Sequence, residues 1–206
     1  MTGDLAKTAA FTCAMELLIY WGTVIVKSVY IARRTGKDPN VIPREKTGRR
    51  LRLIWTPTVV AWCALPWAAV FARENASIWI RPILPAPAAI TGATIGAIAL
   101  ILTFFCWRQM GRSWRIGIDP NEKTELITSG PYRLVRHPIY ALSIVLMLGT
   151  LLAVFTPPML LIAVIHITML QLEARREEQY LLSQHGEPYA AYCLKAGRFI
   201  PRPAGM

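Results

Sequence analysis

Residues 139–172 read IYALSIVLMLGTLLAVFT-PP-MLLIAVIHITMLQL. Two apolar runs, Ile139–Thr156 and Met159–Leu172, contain no Asp, Glu, Lys or Arg and are parted by Pro157-Pro158. A bilayer's hydrocarbon core is ~30 Å thick, so a crossing helix needs ~20 apolar residues. Two consecutive prolines remove two amide donors and force a turn between the runs. The stretch therefore reads as a short membrane hairpin, and it sets the fold class: an all-α, polytopic membrane helix bundle.

Upstream lie three more apolar runs, about Ala9–Ala32, Ile54–Ala72 and Ala88–Trp107, which brings the expected spans to five. The first holds Glu16 and Lys27, expected near its ends or facing other helices. In the second, Pro57 suits a first turn and Pro66 is expected to kink the helix. In the third, Gly92 and Gly96 have the spacing that permits close helix approach, read as packing within one chain. Of 206 residues, 54% are hydrophobic and 17% charged, against ~25% charged in soluble domains. An ordinary soluble enzyme and a disordered chain are both excluded. One membrane domain over 1–206 is expected, with two spans and a basic loop in 1–87 and a core carrying the chemistry in 88–206. The four cysteines and three histidines show no metal-ligand spacing, and no metal is expected. His166 reads as a packed residue and His185 as a helix-end residue.

The net charge of +11 would suggest nucleic acid in a soluble protein. Its distribution argues otherwise. Eight cations lie between Arg33 and Arg52, six between Arg108 and Arg136, and five from Arg175 to Arg202. With five spans all three clusters fall on one side, which the positive-inside rule makes cytoplasmic. The expectation is a multi-pass membrane protein with its N-terminus outside and its C-terminus in the cytoplasm. Anionic membrane lipids are its expected surface partners, nucleic acid is not, and a monomer is favoured. The N-terminus lacks a basic n-region and a small-residue cleavage site, so it does not read as a signal peptide.

The polar segment 108–140 ends Gly130-Pro131-Tyr132-Arg133-Leu134-Val135-Arg136-His137-Pro138-Ile139-Tyr140. Pro138 fits the first turn of the fourth span. The free amides behind it form an anion site, strengthened by the helix dipole, with Arg136 and His137 at its mouth. The bland alternative is that Arg136 snorkels and His137 only caps the helix. Beyond the fifth span the helix continues, with Glu173, Glu177, Tyr180, Leu181 and Gln184 on one face. Such a carboxylate stripe can hold hydroxyls or an ammonium, or can be a solvated face. Gly186, Tyr189, Tyr192 and Arg198-Phe199-Ile200-Pro201 suggest a short helix folded back over the membrane mouth.

In combination these elements resemble the isoprenylcysteine carboxyl methyltransferases and the related phospholipid methyltransferases. The elements are Gly-Pro-Tyr-x-x-x-Arg-His-Pro-x-Tyr from Gly130, Glu177-Glu178-x-x-Leu181 and Gly186-x-x-Tyr189-x-x-Tyr192. Gly111-Arg112-Ser113-Trp114 and Leu126-Ile127-x-x-Gly130 fit the same superfamily, so the resemblance covers 108–201. It implies a membrane enzyme that uses S-adenosylmethionine on a lipophilic acceptor entering from the bilayer, an isoprenylcysteine-like carboxylate or a phospholipid amine. It implies cofactor contacts from Thr124, Glu125, Leu126 and Ile127, from Tyr132, from His137, Pro138, Ile139 and Tyr140, and from Glu177. The prenylcysteine enzymes often carry Arg four residues before the first Glu of the pair; here that position is Glu173. This leaves an amine acceptor, with Glu173 receiving its proton, or a carboxylate met by Arg176 or Arg198. Two other classes fit less of the pattern. An NADPH-dependent membrane reductase of the sterol reductase type is echoed by Tyr192-Cys193, and a non-catalytic membrane protein would retain the fold alone.

Overall fold

The computed structural model describes residues 2–36, 43, 45–73, 76–111, 114 and 126–202. Five apolar helices carry the architecture: α1 (Thr2–Thr35), α2 (Lys46–Phe71), α3 (Ala86–Met110), α4 (Pro138–Ala153) and α5 (Pro157–His185), followed by the short α6 (Glu187–Lys195). Among the described residues no strand forms, and one parallel bridge joins Val135 to Gly197. The chain is the all-α membrane bundle that the apolar runs require.

The Pro-Pro break acts one turn earlier than the sequence suggests. The helix expected over 139–156 stops at Ala153, because Thr156 leaves it to cap α5. Its hydroxyl accepts from the Met159 amide at 3.3 Å, and Pro157 takes the first helical position, where its missing N–H costs nothing. The 16 residues of α4 therefore span ~24 Å. The helices α1, α2, α3 and α5 are long and apolar enough to cross a membrane, whereas α4 is a shorter apolar helix. At 29 residues, α5 is ~44 Å long, enough to cross and to project beyond the bilayer. α2 runs on through both Pro57 and Pro66.

Helix α4 seats itself on α3 through glycine. A Cβ on Gly149 would lie 2.7 Å from the Gly92 carbonyl oxygen and 2.9 Å from the Gly96 nitrogen. The two backbones are in contact there, and no side chain fits between them. Glu16 is buried on α1, its carboxylate against Gly96. The outer surface is apolar: Val26, Val60, Leu161 and Val164 are all exposed. In a soluble protein this would be inverted, but it suits contact with lipid chains. Buried hydroxyls such as Thr103 and Thr150 donate to carbonyls one turn back in their own helices, so they bring no unpaired donor into the bundle.

Candidate functional site

One cavity collects residues from every apolar helix: the later part of α1, the start of α2, the end of α3, the start of α4 and the late turns of α5. The basic ends of the helices thus meet at one end of the bundle. Tyr132, Arg136, His137, Pro138, Ile139, Tyr140, Glu173 and Glu177 line this cavity. On α5, Leu170, Glu173 and Glu177 follow one another at helical spacing, so one face of the helix forms a wall. Tyr132 sits on a 3₁₀ turn, Gly130–Arg133.

His137 is the N-cap of α4. Its ring stacks on Tyr140, with centroids 5.4 Å apart and planes within 3°. Nδ1 lies 3.6 Å from Glu177 Oε2, and Nε2 lies 3.3 Å from Glu178 Oε1. Burial alone would lower the imidazole's pKa, but the two carboxylates outweigh it and raise the value above the ordinary histidine range. Burial, followed by neighbouring charges that include Glu177, raises the Tyr132 phenol, which therefore stays a neutral donor.

The second Glu of the pair has a different task from the first. Glu178 accepts from Arg136 Nε at 3.1 Å and Nη2 at 2.9 Å, and from Arg198 Nε at 2.9 Å and Nη2 at 2.5 Å. Arg136 also donates to the carbonyls of Cys193 and Ala196. The Arg136 amide donates to Gly197 O at 2.7 Å, and the His137 amide to Arg198 O at 3.1 Å. Tyr192 donates to the Tyr132 carbonyl at 2.5 Å. These contacts fasten the C-terminal segment beside the start of α4. Gly186, at φ 57°, gives the chain the left-handed turn that folds α6 back from α5.

Several expected residues lie elsewhere. Arg198 is held by Glu178 and does not line the cavity. Arg176 is also diverted: Nη1 donates to Glu173 Oε2 at 2.7 Å, and Nη2 pairs with Glu45. Three residues beyond Glu173 on the helix, Arg176 turns toward the start of α2. Beside Arg136, the cavity lining instead gains Arg52 of α2, 5.1 Å from the Trp55 ring. Leu126 packs with Tyr189, Tyr192 and Ala196, and among the described residues neither Leu126 nor Ile127 lines the cavity. Thr124 and Glu125 lie outside the described residues. The sequence reading also missed the aromatic wall, Tyr20, Trp21, Trp55, Trp107 and Trp114. Lys27 stands 5.5 Å from the Trp114 ring. The first two spans are therefore part of the site. Among the described residues no group of three or more His, Cys, Asp or Glu could hold a metal ion.

Residues 87–187 match the phospholipid methyltransferase family model, a segment that begins at α3 and ends with the α5–α6 turn. Through this segment the chain belongs to that family of membrane methyltransferases. The chain is similar to the nickel-cobalt-cadmium resistance protein NccN of Alcaligenes xylosoxydans xylosoxydans, 31% identical over 112 residues, covering 53% of this chain and 49% of the relative. It is also similar to the cobalt-zinc-cadmium resistance protein CzcN of Cupriavidus metallidurans, 30% identical over 128 residues, covering 60% of this chain and 52% of the relative. The aligned segment spans about half the length of each of these curated relatives. No solved structure matches the chain.

Proposed function

We propose that the protein transfers a methyl group from S-adenosylmethionine to a lipophilic acceptor that enters from the bilayer. The observation that carries this reading is the cavity's two-part lining. Its mouth is built by the family segment and offers a carboxylate, an imidazole, phenols and helix-start amides. Its floor is built by aromatic side chains of the first two spans and α3.

The mouth fits the cofactor by donor chemistry. The free amides at the start of α4, with His137 beside them, suit a carboxylate. Glu177 suits an ammonium or ribose hydroxyls, and Tyr132 and Tyr140 bring phenols and ring faces, which attract a cationic sulfur. When bound, the cofactor supplies a methyl group on a positively charged sulfur. The chain's own residues align the acceptor with that group and keep water out, and no covalent intermediate with the protein is needed. The latch on Glu178 closes the C-terminal segment over the mouth.

Arg52 bears on the acceptor. A cation that lines the cavity beside Glu173 favours an acceptor with a carboxylate or phosphate, because an anion near Glu173 alone would be repelled. The amine alternative rests on Glu173 itself, which also lines the cavity. The basic helix ends are assigned to the cytoplasmic face and the N-terminus to the other side, following the positive-inside rule. Titration calorimetry with S-adenosylhomocysteine tests the reading. Wild type should bind one equivalent, and Glu177→Ala should abolish the heat. Equal binding by both would remove Glu177 from the site.

A further inference from the structure

The C-terminal segment that Glu178 fastens carries an outer face that is both apolar and basic. Helix α6 turns Tyr189, Tyr192 and Ala196 inward, where they pack with Leu126 and Leu181. Its other face carries Leu194, 71% exposed, and Lys195, also exposed. Beyond α6, Ile200 is 78% exposed, and Leu134, in the chain just before α4, is 53% exposed. The backbone brings the two stretches together: the Gly197 amide donates to Leu134 O at 3.2 Å, and the Arg136 amide donates to Gly197 O. Arg202 reaches back and donates to Leu194 O at 3.1 Å. Arg133, Lys195 and Arg202 are all exposed along this strip. Residues 126–140 and 188–202 contain no Asp or Glu. Glu178, reaching in from α5, is committed to Arg136 and Arg198.

Helix α4 sets the strip's depth. At 16 residues, it spans ~24 Å of a hydrocarbon core ~30 Å thick. A span this short draws its flanking residues to the level of the headgroups. Leu134 precedes Pro138 by no more than ~14 Å of chain, and the backbone around Gly197 is bonded beside it. In water, large apolar side chains set among cations have nothing to bury them; at the interface they enter the boundary between headgroups and acyl chains. We propose that this strip, Leu134, Leu194 and Ile200 with Arg133, Lys195 and Arg202, is a docking surface for anionic phospholipid headgroups of the membrane in which the protein sits. The charges are complementary, and each cation near an anionic surface favours docking about fivefold. The same strip belongs to the segment tied beside the start of α4, so anionic lipid holds that segment from outside while Glu178 holds it from within. The docking needs no cofactor and is the same whatever the cavity binds.

Fluorescence quenching by lipids tests this. Leu194→Cys, Ile200→Cys and Glu187→Cys are each made in a cysteine-free background and labelled with nitrobenzoxadiazole. The full-length protein is reconstituted into vesicles of equal parts phosphatidylcholine and phosphatidylglycerol. A trace of shallow spin-labelled lipid, carried on one headgroup or the other, quenches a label at the interface, so the two quenching strengths compare the lipids around it. At positions 194 and 200 both lipids should quench, the phosphatidylglycerol form more strongly by about fivefold, the selectivity of one cation contact. At position 187, exposed beside the end of α5 that projects from the bilayer, neither should. The preference should vanish when Arg133→Gln, Lys195→Gln and Arg202→Gln are combined. It should also vanish at high salt with all three cations in place, which keeps the test open if the triple variant does not fold. Labels at 194 and 200 that neither lipid quenches would lie in water or against another protein surface, and would overturn the proposal. Equal quenching by the two lipids, or a preference retained by the folded triple variant or at high salt, overturns it as well.

Discussion

Glu178 does not itself line the cavity, and replacing it with Ala should open the C-terminal segment. In the folded protein one carboxylate holds two arginines through four hydrogen bonds, with His137 at 3.3 Å. The side chains of Arg136 and Glu178 are 10% and 14% exposed, that of Arg198 31%. Removing one partner of a buried pair costs ~3–5 kcal/mol, because the other charge stays behind unpaired. The Arg198 contact is discounted for its solvent screening. A loss of about 3 kcal/mol follows, which raises the open population roughly a hundredfold. Trypsin reads that population, since Lys195 and Arg198 lie in the fastened segment and cleavage follows opening when closing is fast. Intact-mass analysis of brief digests in detergent should show cleavage after Lys195 accelerated by about that factor. Glu177→Ala should leave the cleavage rate near wild type while losing S-adenosylhomocysteine. If Glu178→Ala were cut at the wild-type rate, the latch would not be what holds the segment.

Three further outcomes are expected. His137 has its pKa raised in the folded state, so its stabilising contribution is complete below ~6.5 and is lost as pH rises through the folded value; thermal unfolding followed by tryptophan fluorescence should show stability falling on the alkaline side, and His137→Gln should flatten that slope. Gly149→Leu should drive α4 off α3 at the backbone contact with Gly92 and Gly96, giving loss of folded protein on size-exclusion chromatography, whereas Gly3→Ala, at an open position, should elute as wild type. Single cysteines in a cysteine-free background should be labelled from the cytoplasmic side at Arg133 and from the opposite side at Ser77; labelling of both from one side would reverse the assigned topology.

The hairpin was legible because prolines punctuate locally, and the Glu173–Glu177 wall because helical spacing is local too. Arg52, Tyr20, Trp21 and Trp55 were not. They meet Tyr140 and Glu173 only after α1 and α2 pack on the other helices, more than eighty residues away in the chain. Helices that are apolar all round also conceal which face turns inward. Glu177 and Glu178 are neighbours in sequence but point about 100° apart on the helix. One lines the cavity and the other ties down Arg136 and Arg198, which is why a tail arginine expected at the substrate is held elsewhere. The early end of α4 follows from a competition at Thr156: capping α5 satisfied an amide that continuing α4 would have left unpaired.

On the proposed function, this cavity brings S-adenosylmethionine and a membrane lipid together. Membranes containing the protein can be incubated with methyl-tritiated S-adenosylmethionine and extracted with organic solvent. Label should enter the lipid or lipid-modified fraction with wild type and stay at the empty-membrane background with Glu177→Ala. A wild-type signal no higher than that background, from protein shown to be folded and from membranes of its native host, would contradict the account.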